Sequence, residues 1–243
     1  ENTKEELTNY FGCTPKEVAS YIDVAKHKYI EETSTITKES ESDSMADNHG
    51  IKWSSLKKAN DDIYAWIYIP NTNVDYPIVQ SSVYESDTLY LDHNIDKKPD
   101  IAGAIFSERA NRKDFSDPVT VIYGHNMKNG SMFKTLHSFE DAKFFKKNKF
   151  IYIYMEKRKL TYKIYSAYVY DDRHILNSFN FEDKKIFKKY LKSTQNPQSL
   201  TKNTRKVDLS NDSKVLTLST CTNGAANTRY LVQGVLIKDE QTK

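Results

Sequence analysis

Eight short runs rich in aliphatic, β-branched and aromatic residues recur along this chain, at 63–69, 74–79, 101–106, 119–124, 150–155, 160–170, 214–220 and 229–237. Some alternate from side to side, as in Phe150-Ile151-Tyr152-Ile153-Tyr154. That is the period-two pattern of a strand with one buried face. Tyrosine is abundant, at 17 residues, and its ring suits a pleated, half-buried surface. We read these tyrosines as sheet residues rather than as a carbohydrate platform. Eight strand candidates with few long helices predict a mainly β fold with peripheral helices, closed or nearly closed into a barrel.

The helices are marked by other signals. In Thr14-Pro15-Lys16-Glu17 the threonine caps, the proline takes the first turn, and the glutamate three residues after the cap completes a capping box. Val18, Ile22, Ala25 and Tyr29 follow at helical spacing, so a helix is expected to run to about Glu32. Residues 33–50 are rich in serine, threonine and acids and nearly devoid of bulky apolar groups, as in a flexible linker or surface loop. The chain thus divides into an N-terminal helix and linker at 1–50 and a barrel at 51–243. Within the barrel we expect a short helix at Trp53–Ala59, one or two between Ser131 and Phe145, and one over Phe181–Leu191, between the sixth and seventh strands.

A net charge of +3, with lysines spread along the chain, gives no basis for nucleic-acid binding. No run of 18 apolar residues exists, so this chain does not span a membrane as a helix. The two cysteines, Cys13 and Cys221, make no disulfide framework. The six histidines do not cluster with cysteines or acids at ligand spacing, so no metal or other cofactor is expected.

Cys221 carries the chemistry. Lys214-Val215-Leu216-Thr217-Leu218 reads as a buried strand, and Cys221 sits where it ends, before Thr222-Asn223-Gly224 turns the chain away. A thiol there is rigidly held yet can face a groove. The next strand begins with Arg229; if the two strands pair, its guanidinium lies beside Cys221 and can favour a thiolate or hold an oxyanion. A cysteine nucleophile needs a base. His125 is the best placed, because Gly124-His125 follows the strand Pro118–Tyr123 and so also ends an apolar run. Cys13 has neither a base nor an oxyanion donor around it, which points to a structural or incidental role.

Tyr123-Gly124-His125-Asn126-Met127, Ser131-Met132-Phe133, Thr217-Leu218-Ser219-Thr220-Cys221 and Arg229 together resemble the sortases, specifically class B. The resemblance extends to 62–70, to 74–80 and to Tyr90-Leu91, and covers about Trp53 to Ile237. It implies an eight-stranded sortase-type barrel and a cysteine transpeptidase of a Gram-positive cell surface. In that chemistry Cys221 forms a thioester with a sorting-signal peptide, His125 acts as general acid and base, and Arg229 stabilises the oxyanion or orients the peptide. An amine of the peptidoglycan precursor is the expected acceptor. The resemblance also implies an extracellular location, with an N-terminal membrane anchor that this chain does not contain.

Further site residues follow from position. Ser219 and Tyr123 each lie two residues before a catalytic candidate, hence on the same face of a strand; both are candidates to line the groove. Thr222 offers a backbone N–H as an oxyanion donor. Leu91 and Asp87 border the groove by resemblance, although Asp87 stands where the family usually has asparagine, and its other reading is a cap of the turn Glu85-Ser86-Asp87-Thr88. Glu108 stands where the family often has aspartate. Asn196-Pro197-Gln198-Ser199-Leu200 partly resembles a sorting signal but lacks the threonine at the cleaved position, so we read it as a loop. Two rival functions use the same residues differently: a cysteine hydrolase in which water replaces the amine, and a non-catalytic surface-binding β module.

Overall fold

The computed structural model describes residues 47–222 and 227–242. The expected helix from Thr14, most of the expected linker and Cys13 lie outside the described residues. Of the linker stretch, 47–50 is described. His49 stacks on Tyr68 and Tyr154, with ring centres 4.6 and 5.0 Å away, and hydrogen-bonds Asp75 at 3.1 Å, which fastens this end of the stretch to the barrel.

Nine strands form one sheet: β1 (Ile63–Tyr68), β2 (Asp75–Val79), β3 (Ile105–Phe106), β4 (Val119–Tyr123), β5 (Phe150–Met155), β6 (Arg158–Asp171), β7 (Lys202–Thr204), β8 (Val215–Cys221) and β9 (Thr228–Gln241). Their order is β5-β1-β2-β3-β4-β8-β9-β6-β7, and β5 also pairs with β6. That extra pairing closes eight strands into a barrel, as the sequence predicts. The ninth, β7, shares the β5 edge of β6: β5 takes Arg158–Lys163 and β7 takes Ser166–Tyr168. Its residues, Lys202-Asn203-Thr204, carry no apolar pattern, so nothing in the sequence marks it as a strand.

Other boundaries moved for identifiable reasons. The candidate at 101–106 shrinks to Ile105–Phe106, because Gly103 adopts a left-handed φ of 56° and ends a turn from Asp100. β6 and β9 outrun their apolar cores to 14 residues each, since the ladder between them continues through charged positions such as Lys159↔Glu240.

Some helices pack on the barrel's outer face and others against its interior cluster. We number them α1 (Trp53–Ala59), α2 (Ala142–Lys147), α3 (Ile175–Ser178) and α4 (Lys184–Gln195), with a 3-10 helix at Lys134–Glu140. α4 starts later than its pattern suggests. Asp183 caps it by accepting from the N–H groups of Lys185 and Ile186, while Phe181 packs back on Phe187 and Tyr190 from the preceding loop.

Side-chain alternation divides the core into an interior and outer patches. Ile122, Leu216, Leu218, Tyr230 and Val232 point into the barrel with Ile67, Ile78, Ile151 and Phe133. Val119, Val121, Val215 and Leu231 point out, under Phe187, Tyr190 and Leu191 of α4. Trp53 and Leu56 of α1 cover a second outer patch over Ile63, Trp66 and Phe106. Gln233 of β9 bridges the α4 patch by donating to Tyr190 and Thr217 at 2.9 Å each.

β4 and β8 are parallel, so both end at the same rim. β9 is antiparallel to β8 and therefore begins there, and β6, antiparallel to β9, ends there. Four strand ends thus converge on one place.

Candidate active site

Cys221 closes β8 and pairs in register with Arg229 at the start of β9. Tyr123, the last residue of β4, pairs with Ser219. The Gly124 N–H still reaches the Ser219 carbonyl at 3.2 Å, so the parallel alignment carries His125 to the level of Cys221. On β4 the outward residues are Val119 and Val121, which puts Tyr123 and His125 on the outer face. On β8 Val215 and Thr217 put Ser219 and Cys221 there, and on β9 the outward Leu231 puts Arg229 there as well. All five line one cavity of about 210 Å³. Gly124 is what lets β4 leave the sheet this close to its neighbours: a Cβ there would sit 2.5 Å from Ile105 and 2.7 Å from Phe133.

The side chains are prepared differently. Cys221 is exposed. His125 donates through Nε2 to the Leu91 carbonyl at 2.6 Å, a partner that can only accept. Among the described residues its Nδ1 has no hydrogen-bond partner, so Nδ1 is the nitrogen open to proton exchange. The Leu91 carbonyl is held in turn by a tight crossing of chains, for a Cβ on Gly103 would meet it at 2.7 Å. Arg229 donates to the Thr228 carbonyl at 3.1 Å, and among the described residues no carboxylate pairs with it. Its guanidinium lines the cavity.

In the far wall the sequence pointed to Tyr123 and Glu108 but not to His174, Arg173 or Asp171. His174 donates through Nε2 to Glu108 at 2.5 Å, and its Nδ1 accepts from the Asn177 N–H at 3.2 Å, capping α3. One imidazole thus fastens α3 to the segment after β3. Arg173 and Asp171 form an ion pair beside it. Burial, then the adjacent Glu108 carboxylate, hold the Tyr123 phenol well above its usual range, so it is a neutral donor in the wall.

The remaining sequence candidates fall in different places. Leu91 lines the cavity, whereas Asp87 and Thr222 do not. Asp87 accepts from the Arg109 N–H at 2.9 Å, with the Arg109 guanidinium 3.7 Å away, and so caps that turn. The Thr222 N–H points to the Thr228 carbonyl at 3.4 Å. Asn126, within the His125 motif, and His137, outside every motif, converge on the nucleophile's backbone: Asn126 Nδ2 donates to the Cys221 carbonyl at 2.9 Å and His137 Nε2 does so at 3.0 Å.

The sequence model of the Sortase domain matches residues 67–237, well over half of the chain. The chain belongs to the sortase family. Sortase B of Listeria monocytogenes is 32% identical to it over 184 residues, 75% of this chain and 72% of that protein. The crystal structure of Clostridium perfringens sortase B superposes with a TM-score of 0.66 at 33% identity, covering 77% of this chain and 100% of that one. A Streptococcus pyogenes class B sortase involved in pilus biogenesis gives 0.66 at 27% identity, covering 77% and 99%. This sortase is therefore of class B, a cysteine transpeptidase that anchors surface proteins by acting on their sorting signals. Neither the hydrolase nor the idle-module reading is favoured.

Proposed function

We propose that Cys221 is the nucleophile, His125 the acid–base group and Arg229 the oxyanion or peptide-orienting cation. The observation that carries this is their convergence: three strand ends bring a thiol, an imidazole and a guanidinium to one face and one cavity, and among the described residues the imidazole Nδ1 has no hydrogen-bond partner and the guanidinium no carboxylate. The Cys221 sulfur attacks the sorting-signal carbonyl, and the negative charge that builds on its oxygen lies toward Arg229. The carbon–nitrogen bond breaks as His125 Nδ1 gives its proton to the leaving amine. The thioester keeps the acyl energy, so the second step needs no external energy source. An incoming amine attacks the thioester, His125 accepts its proton, and the thiolate leaves.

The acceptor in this proposal is an amine of a peptidoglycan precursor, and the setting is the outer face of a Gram-positive membrane. Leu91, Tyr123 and Ser219 line the peptide groove. The barrel at 51–243 is the catalytic unit. Product analysis tests the acyl-transfer reading. A panel of pentapeptide sorting signals is offered with and without an added amine such as triglycine. Amide product in proportion to amine is expected; hydrolysis alone, indifferent to amine, contradicts it.

A further inference from the structure

Past Ser219, β8 has no β4 strand beside it. The ladder's last bond on that side is Gly124 N–H to Ser219 carbonyl. In a parallel ladder the next acceptor is the carbonyl two residues on, that of Cys221, and the next donor is the N–H of residue 126. Here the Asn126 side chain, at 2.9 Å, takes that place. The second lone pair of the same oxygen receives His137 Nε2 at 3.0 Å.

His137 is built for this contact. It stands in the 3-10 helix Lys134–Glu140, with its side chain only 9% exposed. Its ring stacks on Tyr230 at 4.9 Å, and its Nδ1 lies 2.5 Å from Glu140 Oε1. A carbonyl only accepts, so Nε2 carries a proton; the proton on the other side of the ring lies between Nδ1 and the carboxylate. Glu140 thereby holds the ring in a form that donates to Cys221. The contact adjoins each part of the catalytic set: Asn126, which shares the Cys221 carbonyl with His137, follows His125, and Tyr230, stacked on the His137 ring, follows Arg229.

We propose that His137, held by Glu140, is a positioning residue of the transfer reaction, fixing the Cys221 peptide plane and with it the direction of the thiol toward His125 and Arg229. This rests on the assignment of Cys221 as nucleophile. An error of about 1 Å in such a placement costs on the order of 10²-fold in rate.

Two substitutions separate the hydrogen bond from the packing. His137→Phe keeps a ring on Tyr230 and removes the donor. His137→Gln loses the ring and keeps an N–H that can reach the carbonyl. kcat and KM for a cleaved pentapeptide are measured beside the rate at which iodoacetamide alkylates Cys221 and the thermal midpoint. We expect His137→Phe to lower kcat by about 10–100-fold with KM little changed, and His137→Gln to recover most of that loss. Wild-type kcat in His137→Phe overturns the proposal, as does a His137→Gln no better than His137→Phe at an unchanged thermal midpoint. A rise in KM alone overturns it too. Cys221→Ala, run alongside, keeps the two claims apart. If it is inactive while His137→Phe is normal, only the positioning role falls; if it is active, the nucleophile assignment falls as well.

Discussion

Arg229 offers the sharpest test at the residue scale, because its role depends on shape as well as charge. A guanidinium presents a planar fork of donors, and a lysine ammonium does not. Arg229→Lys is therefore expected to lose at least 10-fold in kcat/KM, and removal of the acid–base His125 to cost on the order of 10²–10⁴. Turnover at the wild-type rate in Arg229→Lys would reduce the arginine to a surface cation. Asp87 invites the opposite expectation. It caps the Arg109 N–H, and asparagine retains an acceptor oxygen for that bond. Asp87→Asn should leave the preference among peptides with lysine, glutamine or glutamate at the variable position unchanged; a selective gain for the glutamate peptide would put Asp87 in the recognition site. Cys221, His125 and Arg229 were legible because each abuts an apolar run that announces a strand end. His137 was not. Its partner is a backbone carbonyl 84 positions away in sequence, and nothing in a histidine's own surroundings reports such a partner.

Among the elements, α3 has the most to do with substrate. It is four residues long and held by His174, which caps its N-terminus and reaches across to Glu108. In the proposed reading a peptide entering the cavity meets this wall, which Arg173, His174 and Ile175 line. His174→Ala should raise KM by about 10-fold, the equivalent of losing one charge-assisted hydrogen bond worth ~1.5 kcal/mol, with kcat nearly unchanged. Steady-state kinetics decide it, and an equal fall in kcat would mean that α3 shapes the reacting centre rather than the entrance. Neither α3 nor β7 was visible in the sequence. A one-turn helix is too short to show a period, and β7 is a strand only because the upper half of β6 has an open edge. Trp53–Ala59 and α4 were visible because each buries an apolar stripe against the barrel.

For the whole molecule, barrel closure and the direction of β4 matter most. A closed or nearly closed barrel follows from eight strand candidates and few helices, but closure by the β5–β6 pairing and the parallel pairing of β4 with β8 do not follow from the strands alone. That pairing turns two separate strand ends into one site. The central claim is that this site forms an acyl-enzyme on Cys221. Intact-mass analysis of the protein mixed with a cleavable sorting-signal peptide, without amine, tests it most directly. The account predicts a mass gain equal to the acyl fragment, mapped to the peptide containing Cys221, released by hydroxylamine and absent in Cys221→Ala. Cleavage with no adduct, or an adduct on Cys13, would contradict it.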